Sequence, residues 1–312
     1  MNGSDVDKEA RAVRDATAAA TGLGAPDADS AQASVLLPFP PGHFYSPIVD
    51  PAAIDAARIW PADPHVCDID FADASHVDIL TRALPRFRSL YDYPDRLSES
   101  ETLQHFFTHN SQFSWLDPHV LFALLHDRRP RRVIEVGSGF SSLLLADVNE
   151  RFFGGRMNVT CIEPYPRPFL AKGLPGITEL LTQKVQDVGV ERFTRLAAND
   201  ILFIDSSHVA KTGSDVNFIF FEVLPRLSVG VLVHLHDIFL PHDYPPDWVL
   251  GENRSWNEQY LLRAMLQGGT RYEVVFGCSY AFHRHRELVI AALDRPDGAG
   301  YGGGSFWIRK RD

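Results

Sequence analysis

Short apolar runs alternate with longer amphipathic stretches from residue 131 to the end of the chain. Runs rich in valine, isoleucine, leucine and phenylalanine are typical of buried strands, and the stretches between them suit crossover helices. This alternation predicts parallel βαβ units, and therefore an α/β fold with a doubly wound sheet. The predicted strands are 132–136, 158–162, 179–185, 201–204, 229–235, 272–281 and 305–308, and the predicted helices are 142–151, 168–173, 190–196, 214–227 and 255–267.

The connection between the last two predicted strands differs from the others. Residues 282–304 are rich in glycine and turn-forming residues, so we predict turns there rather than a helix. Strands joined without a crossover helix pair in an antiparallel manner. The sequence therefore predicts a seven-stranded sheet with an antiparallel pair at one edge.

The residues before the sheet divide into two parts. Residues 1–38 carry very few bulky apolar side chains, which predicts a disordered tail. Residues 39–128 contain scattered prolines and aromatic residues and two helical patterns, at 77–90 and 118–127. The second has Asp117 in position to cap its N-terminus and Pro118 in its first turn. We predict an N-terminal helical cap over 39–128, followed by the sheet region over 129–312.

Charge and cysteine content narrow the partners and the compartment. The chain has 40 acidic and 30 basic residues and a net charge of -10. It therefore lacks a positively charged surface that would attract nucleic acid or an anionic membrane. It has no apolar run of the ~20 residues that a membrane span needs and no signal-peptide core. Cys67, Cys161 and Cys278 are too far apart to indicate a disulfide framework or a thiolate zinc site. We expect no nucleic-acid or membrane partner and a cytoplasmic location.

A glycine turn follows the first predicted strand. Residues 137–139 read Gly-Ser-Gly and open a predicted helix, whose N–H groups and dipole favour a polar ligand. Glu163 ends the next strand, where an acid suits the hydroxyls of a ribose. Ser142 replaces the third glycine of the dinucleotide fingerprint, which disfavours NAD. Glu135 would repel a pyrophosphate but would attract an amino group or a sulfonium, both of which S-adenosylmethionine carries.

Two segments extend this pattern, IDSSH at 204–208 and HDIFLP at 236–241. With HFYSP at 43–47, WNEQY at 256–260 and GGGSFW at 302–307, they make the chain resemble the class I S-adenosylmethionine-dependent methyltransferases, in particular a bacterial group, over residues 40 to 310. The resemblance implies a Rossmann-like sheet and a methyltransferase domain over 129–312. It places Glu135, Gly137, Ser138, Gly139, Ser141 and Ser142 around the methionine part of the cofactor, Glu163 on the ribose, and Gln186 and Asp187 beside the adenine.

Some of these assignments have ordinary structural alternatives. Gln186 and Asp187 fit a capping pair in a loop as well as an adenine contact. Tyr165 either stacks on the adenine or packs under its loop. His234 alternates with His236 on a buried strand and is interpreted as a structural histidine.

The chemistry is predicted to come from the ends of two neighbouring strands. Asp205 follows an apolar strand and emerges at the carboxyl edge of the sheet, where it can face the cofactor and its transferring methyl group. His208 lies three residues further on, and His236 and Asp237 follow the next strand. In one mechanism His208 or His236 takes a proton from the acceptor. In the other, a divalent metal binds Asp205, His236 and Asp237.

The metal hypothesis rests on a second resemblance. Catechol O-methyltransferases and cephalosporin-hydroxylase-like proteins carry a carboxylate after the fourth strand and an acid with an acid or amide after the fifth. His236 departs from that pattern, because an imidazole shifts the preference from magnesium toward manganese, iron or zinc.

The acceptor pocket is predicted from a serine and aromatic residues in the cap and after the fifth predicted strand, with ordinary core packing as the alternative: Tyr45, Phe113, Ser114, Trp115, Trp248, Trp256 and Tyr260. We predict a methyltransferase that acts on a small-molecule hydroxyl, or on an amine, in specialised metabolism. The sequence leaves the oligomeric state open, and a homodimer is one option. The alternatives are a metal-dependent oxygenase or hydrolase that uses Asp205, His236 and Asp237, and a non-catalytic nucleoside-binding protein.

Overall fold

Seven strands form one mixed sheet in the computed structural model, which describes residues 39–64, 68–97, 105–294 and 303–312. The strands are β1 (Arg132–Val136), β2 (Asn158–Ile162), β3 (Glu179–Leu181), β4 (Ile201–Ile204), β5 (Leu232–Leu235), β6 (Tyr272–Gly277) and β7 (Phe306–Lys310). They lie in the order β3-β2-β1-β4-β5-β7-β6. The tail predicted for residues 1–38 lies outside the described residues.

The direction of the strands agrees with the prediction. Strands β1 to β5 pair in parallel, and β7 is antiparallel to both β5 and β6. The predicted seven-stranded sheet and its antiparallel edge pair are confirmed. After β3 the chain crosses back to place β4 beside β1, so the switch in strand order lies between the carboxyl ends of β1 and β4. Sheets of this kind bind ligands at such a switch point.

The strand bounds are as predicted for β1, β2 and β4, and shorter for three others. β3 ends at Leu181, before the polar residues 182–184, and β5 begins only at Leu232. β6 ends at Gly277, because Cys278 begins a helix.

The expectation of turns over 282–304 is wrong. A helix at Cys278–Arg284 extends into this stretch, and a second helix occupies Arg286–Leu293. The glycines of the stretch all come after residue 297, whereas residues 286–293 contain none. Val289, Ala292 and Leu293 are buried at helical spacing on one face of the second helix. That face, and not the average composition of the stretch, determines the local structure.

Ten α-helices are described, several of them only one turn long. They are α1 (Ala56–Ile59), α2 (Asp73–Asp78), α3 (Leu84–Phe87), α4 (Leu116–Arg128), α5 (Phe140–Phe153), α6 (Pro168–Ala171), α7 (Asp215–Phe218), α8 (Glu258–Gly268), α9 (Cys278–Arg284) and α10 (Arg286–Leu293). Segments of 3₁₀-helix lie at Pro51–Ala53, Arg88–Leu90, Val185–Asp187, Val190–Arg195 and Leu224–Arg226, and segments of π-helix at Ile79–Ala83, Ile219–Val223 and Asp247–Gly251. None of the described helices has the length and apolar character needed to cross a membrane.

Two predicted helices are interrupted in the same way. The π-helical segments Ile79–Ala83 and Ile219–Val223 are each followed by a leucine and a proline, Pro85 and Pro225. A proline removes one N–H donor and its ring clashes with the carbonyl four residues earlier, so the preceding turn widens. The predicted helices 77–90 and 214–227 are therefore present in segments.

The sequence predicted that Asp117 caps α4, and this prediction is wrong. The helix begins one residue earlier, at Leu116, and Trp115 occupies the cap position. Asp117 is buried, and its carboxylate accepts hydrogen bonds from the N–H groups of Gly304 (3.1 Å) and Ser305 (2.9 Å). The acid therefore connects α4 to the residues that lead into β7.

Apolar residues cover both faces of the sheet. Because side chains alternate along a strand, Val133, Ile201 and Phe203 enter one core, and Ile134 and Ile204 enter the other. The first core contains α4, α5 and helices of the cap. Glu135 points to the same face as Val133, which places its carboxylate under α5.

Candidate active site

A glycine turn at the end of β1 forms the floor of the site. Gly137 has a φ of +77°, and a Cβ placed there would lie 1.8 Å from the carbonyl oxygen of Asp205. A side chain at this position would therefore push apart the ends of β1 and β4. A Cβ placed at Gly139 would have no other atom within 4 Å, and the N–H of Gly139 donates to Ser142 Oγ (3.0 Å) at the start of α5.

Glu135 stabilises this turn from below. Its buried carboxylate accepts hydrogen bonds from Ser141 Oγ (2.7 Å), Ser142 Oγ (2.5 Å) and Cys161 Sγ (3.2 Å). Burial raises the pKa of Glu135 despite these donors. The carboxylate does not line the cavity described below; it supports the turn from inside the core, and its contact with the methionine part of a cofactor stays a prediction. Ser142 is also fully buried and has the same role.

Glu163 lies at the end of β2, opposite the turn. Its Oε2 accepts a hydrogen bond from the N–H of Ser138 (3.2 Å), and its Oε1 accepts one from the N–H of Tyr165 (2.8 Å). The Tyr165 side chain is 82% exposed, so it does not pack under its loop. Each carboxylate oxygen keeps a lone pair that can accept another hydrogen bond.

A cavity of about 300 Å³ opens between these strand ends, within the usual range for small-molecule sites. The sequence predicted seven of its lining residues as cofactor contacts and named Phe113 as an acceptor-pocket residue, but it did not single out Gln112, Phe140 or Arg167. The lining residues are Gln112, Phe113, Gly137, Ser138, Gly139, Phe140, Ser141, Glu163, Tyr165, Arg167 and Asp205.

Two predicted adenine contacts lie elsewhere. Gln186 and Asp187 belong to the 3₁₀ segment Val185–Asp187, which is not part of the cavity wall. The Gln186 side chain donates to the carbonyl of Gly213 (2.9 Å). The structure therefore favours the loop-capping alternative for Gln186, and the adenine contact of both residues stays a prediction.

His208 lies beside Asp205, and its imidazole is held by the carboxylate of Glu258, a residue that the sequence had not indicated as part of the site. Glu258 Oε2, at the start of α8, lies 2.9 Å from His208 Nδ1 and also accepts from Ser206 Oγ (2.9 Å). Nε2 of the imidazole is 3.3 Å from Asp205 Oδ1 and 3.4 Å from Asp237 Oδ2. Glu258 orients the ring so that Nε2 faces the two aspartates, as acids orient histidines in catalytic triads. The WNEQY segment contains Glu258, but one sequence gave no reason to pair it with His208.

His236 occupies the other side of the two aspartates. Its Nδ1 is 3.6 Å from Asp205 Oδ1 and 3.5 Å from Asp237 Oδ1, and its Nε2 is 3.4 Å from Asp117 Oδ2. The predicted convergence of two histidines and two acids at one edge is therefore present, with Asp117 and Glu258 in addition. His234 is buried against Phe203 with Nε2 2.8 Å from Ser305 Oγ, as expected for a structural histidine.

The surroundings of both imidazoles in this cluster favour the protonated ring. Burial alone would lower the pKa of His208, but its contacts with Asp205 and Glu258 outweigh burial and raise that pKa to about 10. Burial also opposes protonation of His236, yet Asp237 and Asp205 raise its pKa well above the usual value. A protonated imidazole cannot accept another proton, so the general-base role of His208 or His236 needs the neutral ring and stays a prediction.

The two aspartates respond differently to the same surroundings. Burial would raise the pKa of Asp205, but His236 and His208 lower it below the ordinary range. Burial dominates at Asp237 and raises its pKa. Asp237 is therefore the better proton acceptor of the two.

A candidate metal site also differs by one residue from its prediction. Among the described residues, Asp205, His208 and Asp237 place one possible ligand atom each within 4.8 Å of one another. The histidine in this group is therefore His208, whereas the predicted metal ligand was His236. Carboxylate oxygens combined with an imidazole nitrogen suit manganese, iron or zinc, and the acid on the other ring nitrogen is the usual second partner of a metal-bound histidine.

The predicted acceptor residues divide into two groups. The ring centroid of Trp256 is 4.3 Å from that of His208, and Trp248 lies 5.3 Å from Trp256. Tyr45 is 76% exposed and contacts Phe39. Trp115 is 37% exposed, and Ser114 is half-buried next to the cavity residue Phe113. The two tryptophans after β5 therefore lie at His208, and the ring centroid of Phe113 is 5.7 Å from that of His236.

Several known proteins are similar to this chain. A family model described as a methyltransferase domain matches residues 134–238. An uncharacterized protein from Archaeoglobus fulgidus is 36% identical over 177 residues, which are 52% of this chain and 76% of that protein. The crystal structure of a candidate O-methyltransferase from Klebsiella pneumoniae covers 76% of this chain and 90% of its own, with 12% identity and a TM-score of 0.37. A candidate methyltransferase from Thermobifida fusca covers 80% and 85%, with 13% identity and a TM-score of 0.38.

The TM-scores are too low to transfer residue roles from the two solved structures. The family match is more informative, because residues 134–238 contain the glycine turn, Glu163, Asp205 and Asp237. These matches do not favour an oxygenase, a hydrolase or a non-catalytic nucleoside-binding protein. The chain belongs to the methyltransferase-domain family and has the class I architecture of the S-adenosylmethionine-dependent methyltransferases.

Proposed function

We propose that this protein transfers the methyl group of S-adenosylmethionine to an oxygen atom of a small molecule, with an amine nitrogen as the second candidate acceptor. One observation carries the proposal. The cavity between the ends of β1, β2 and β4 directly adjoins a buried cluster of histidines and acids, because Asp205 belongs to both.

The residues present fit the cofactor in three respects. The turn at residues 137–139 leaves room for a ligand to approach the backbone, and Gly139 in particular has open space on its side-chain face. Glu163 has lone pairs available for the two ribose hydroxyls. Asp205 supplies negative charge near the position that a sulfonium would take in this cavity. S-adenosylmethionine supplies an activated methyl group for an in-line displacement by the acceptor.

The acidic cluster also supports a proton acceptor for this reaction. Asp237 has a raised pKa, and its carboxylate lies 3.4 Å from His208 Nε2 and 3.5 Å from His236 Nδ1. An acceptor hydroxyl bound against Trp256 would give its proton to the Asp237 carboxylate as its oxygen bonds to the methyl carbon. The bond between that carbon and the sulfonium sulfur would break, and the thioether S-adenosylhomocysteine would leave. Orientation of the two reactants contributes ~7 to 11 kcal/mol to such reactions, whereas a general base contributes ~10²- to 10⁴-fold.

A small, uncharged or cationic acceptor fits the electrostatics better than nucleic acid. Four carboxylates surround the two imidazoles, so a polyphosphate chain would be repelled from this edge. The contributing residues are Asp117, Asp205, Asp237 and Glu258.

A divalent metal is a separate part of the proposal. Asp205, His208 and Asp237 would hold it, and Glu258 would orient the imidazole. Such an ion would lower the pKa of an acceptor hydroxyl. Protein treated with a chelator and then titrated with manganese or zinc in a calorimeter tests this. Saturable binding that His208→Asn removes supports the site, and equal binding to both proteins contradicts it.

Cofactor binding is tested by calorimetry with S-adenosylhomocysteine, the product form of the cofactor. We expect binding to the wild-type protein, and weakening by about 10-fold or more in Glu163→Gln, because a charged acceptor is replaced by a weaker one. Glu191→Gln changes an exposed glutamate outside the cavity and serves as the matched control. Folded wild-type protein without affinity for this ligand would contradict the proposed function.

A further inference from the structure

Arg167 is the cationic side chain in the wall of the cavity. The other lining residues that the structure describes include two acids, Glu163 and Asp205, and no second lysine or arginine. Arg167 follows Glu163 by four positions and immediately precedes α6. Its side chain is half-buried, which lowers the pKa of the guanidinium without removing its charge.

Two contacts fix the orientation of this guanidinium. Nη2 of Arg167 donates to Gln112 Oε1 (2.7 Å), from the loop ahead of α4. The guanidinium carbon lies 5.1 Å from the ring centroid of Phe140, the first residue of α5. Gln112 is the one hydrogen-bond acceptor that the described residues provide for it. A guanidinium has five N–H donors in one plane, so several remain for a ligand.

Glu163 and Asp205 attract this guanidinium electrostatically, but neither accepts a hydrogen bond from it among the described residues, so its remaining N–H donors suit an anionic group of the ligand. S-adenosylmethionine carries a cationic sulfonium and a cationic ammonium, which a guanidinium in the same cavity repels. Its one anionic group is the α-carboxylate of the methionine part. A planar guanidinium binds a carboxylate through two parallel hydrogen bonds.

We propose that Arg167 binds the α-carboxylate of the cofactor, with Gln112 and Phe140 holding the guanidinium in position. This inference rests on the proposed function, since it assumes that the cofactor occupies the cavity. It makes Arg167 a specificity residue. The protein would prefer ligands with an intact amino-acid tail over nucleosides that lack the carboxylate.

Two ligands that differ in this tail provide the test. S-adenosylhomocysteine has the carboxylate, whereas 5′-methylthioadenosine has the same thioether nucleoside without it. Calorimetry with the full chain should show that Arg167→Met weakens S-adenosylhomocysteine binding by about 10- to 100-fold. The affinity for 5′-methylthioadenosine should change by no more than about 2-fold, because the nucleoside contacts are untouched. Arg167→Lys should give an intermediate loss of affinity for S-adenosylhomocysteine, since lysine keeps the positive charge but lacks the two parallel N–H donors of a guanidinium.

Gln112→Ala is a second variant, chosen because Gln112 is exposed and its loss leaves the core intact. It should weaken the binding of S-adenosylhomocysteine by only a few-fold, because Arg167 loses the hydrogen bond that orients its guanidinium. Arg192→Met, at a partly buried salt bridge with Glu179 outside the cavity wall, is the matched control and should change neither affinity.

The outcomes separate this inference from the proposed function. Equal losses for both ligands in Arg167→Met would mean a structural role and would overturn the inference. Unchanged binding of S-adenosylhomocysteine would also overturn it, because no acceptor is present to supply another carboxylate. A folded wild-type protein that binds neither ligand would instead overturn the proposed function itself.

Discussion

The protonated state of His208 makes the stability of the protein depend on pH in a definite direction. The pKa of this imidazole is about 10 in the folded chain, against about 6.5 in an unfolded one. Between these values the folded state binds a proton that the unfolded state does not. The stabilisation is therefore complete below a pH of about 6.5 and is lost as the pH rises through about 10.

The size of the effect follows from the same two values. A difference of about 3.5 pH units corresponds to about 5 kcal/mol, at about 1.36 kcal/mol for each unit. This energy is shared with Asp205 and Glu258, which interact with the ring, so it is counted once for the whole cluster. Domains have total stabilities of about 5 to 15 kcal/mol, so the predicted loss is a large fraction of the total.

Urea unfolding of the wild-type protein and of His208→Asn, at several pH values between about 6 and 10, measures this loss. Asparagine is chosen because residue 208 has a φ of +59°, a conformation that asparagine tolerates. Cysteine, tyrosine and lysine titrate in both proteins, so their contribution cancels in the difference. The stability advantage of the wild-type protein should shrink by several kcal/mol across this range. Parallel stability curves for the two proteins would refute the assigned protonation of His208.

Three further substitutions test the surroundings of the site. Gly137→Ala should lower the free energy of unfolding by several kcal/mol, because its Cβ would overlap a backbone oxygen, whereas Gly139→Ala should cost about 1 kcal/mol or less; similar melting temperatures for the two would contradict this. Asp117→Asn should destabilise by about 1 to 3 kcal/mol, because an amide leaves one of two buried N–H donors without an acceptor, while Asp92→Asn at an exposed ion pair with Arg151 should cost under about 1 kcal/mol in the same urea titration. Glu258→Gln should lower the imidazole pKa of His208 by roughly 1 to 3, measured by NMR titration. An unchanged pKa would mean that Glu258 does not stabilise the protonated ring.

The arrangement of the sheet was largely predictable from sequence because its strands are short, apolar and well separated. Strands β1, β2 and β4 are flanked by polar residues that define both ends. The helix α10 was missed because glycines at 298–304 dominated the composition of the stretch that contains it. A window confined to residues 286–293 would have shown the helical spacing of Val289, Ala292 and Leu293.

The site was predictable where residues follow strand ends and not where they come from distant segments. Asp205, His236 and Asp237 were found because β4 and β5 are adjacent and parallel. Glu258, 50 positions from His208 along the chain, leaves no local pattern that would indicate the contact. Arg167 follows Glu163 in a loop with no periodicity, so nothing in the sequence points it toward the cavity.

The hydrogen bonds between Asp117 and the residues before β7 limit where the chain can be divided into independent parts. A division at residue 128, natural from the sequence, would separate Asp117 from the N–H groups of Gly304 and Ser305 that it binds. It would also remove Phe113 from its place beside His236. The segment ahead of the sheet thus shares a hydrophobic core and buried hydrogen bonds with the sheet. Engineering that exchanges this segment between relatives to change the acceptor would need to carry both ends of these hydrogen bonds together.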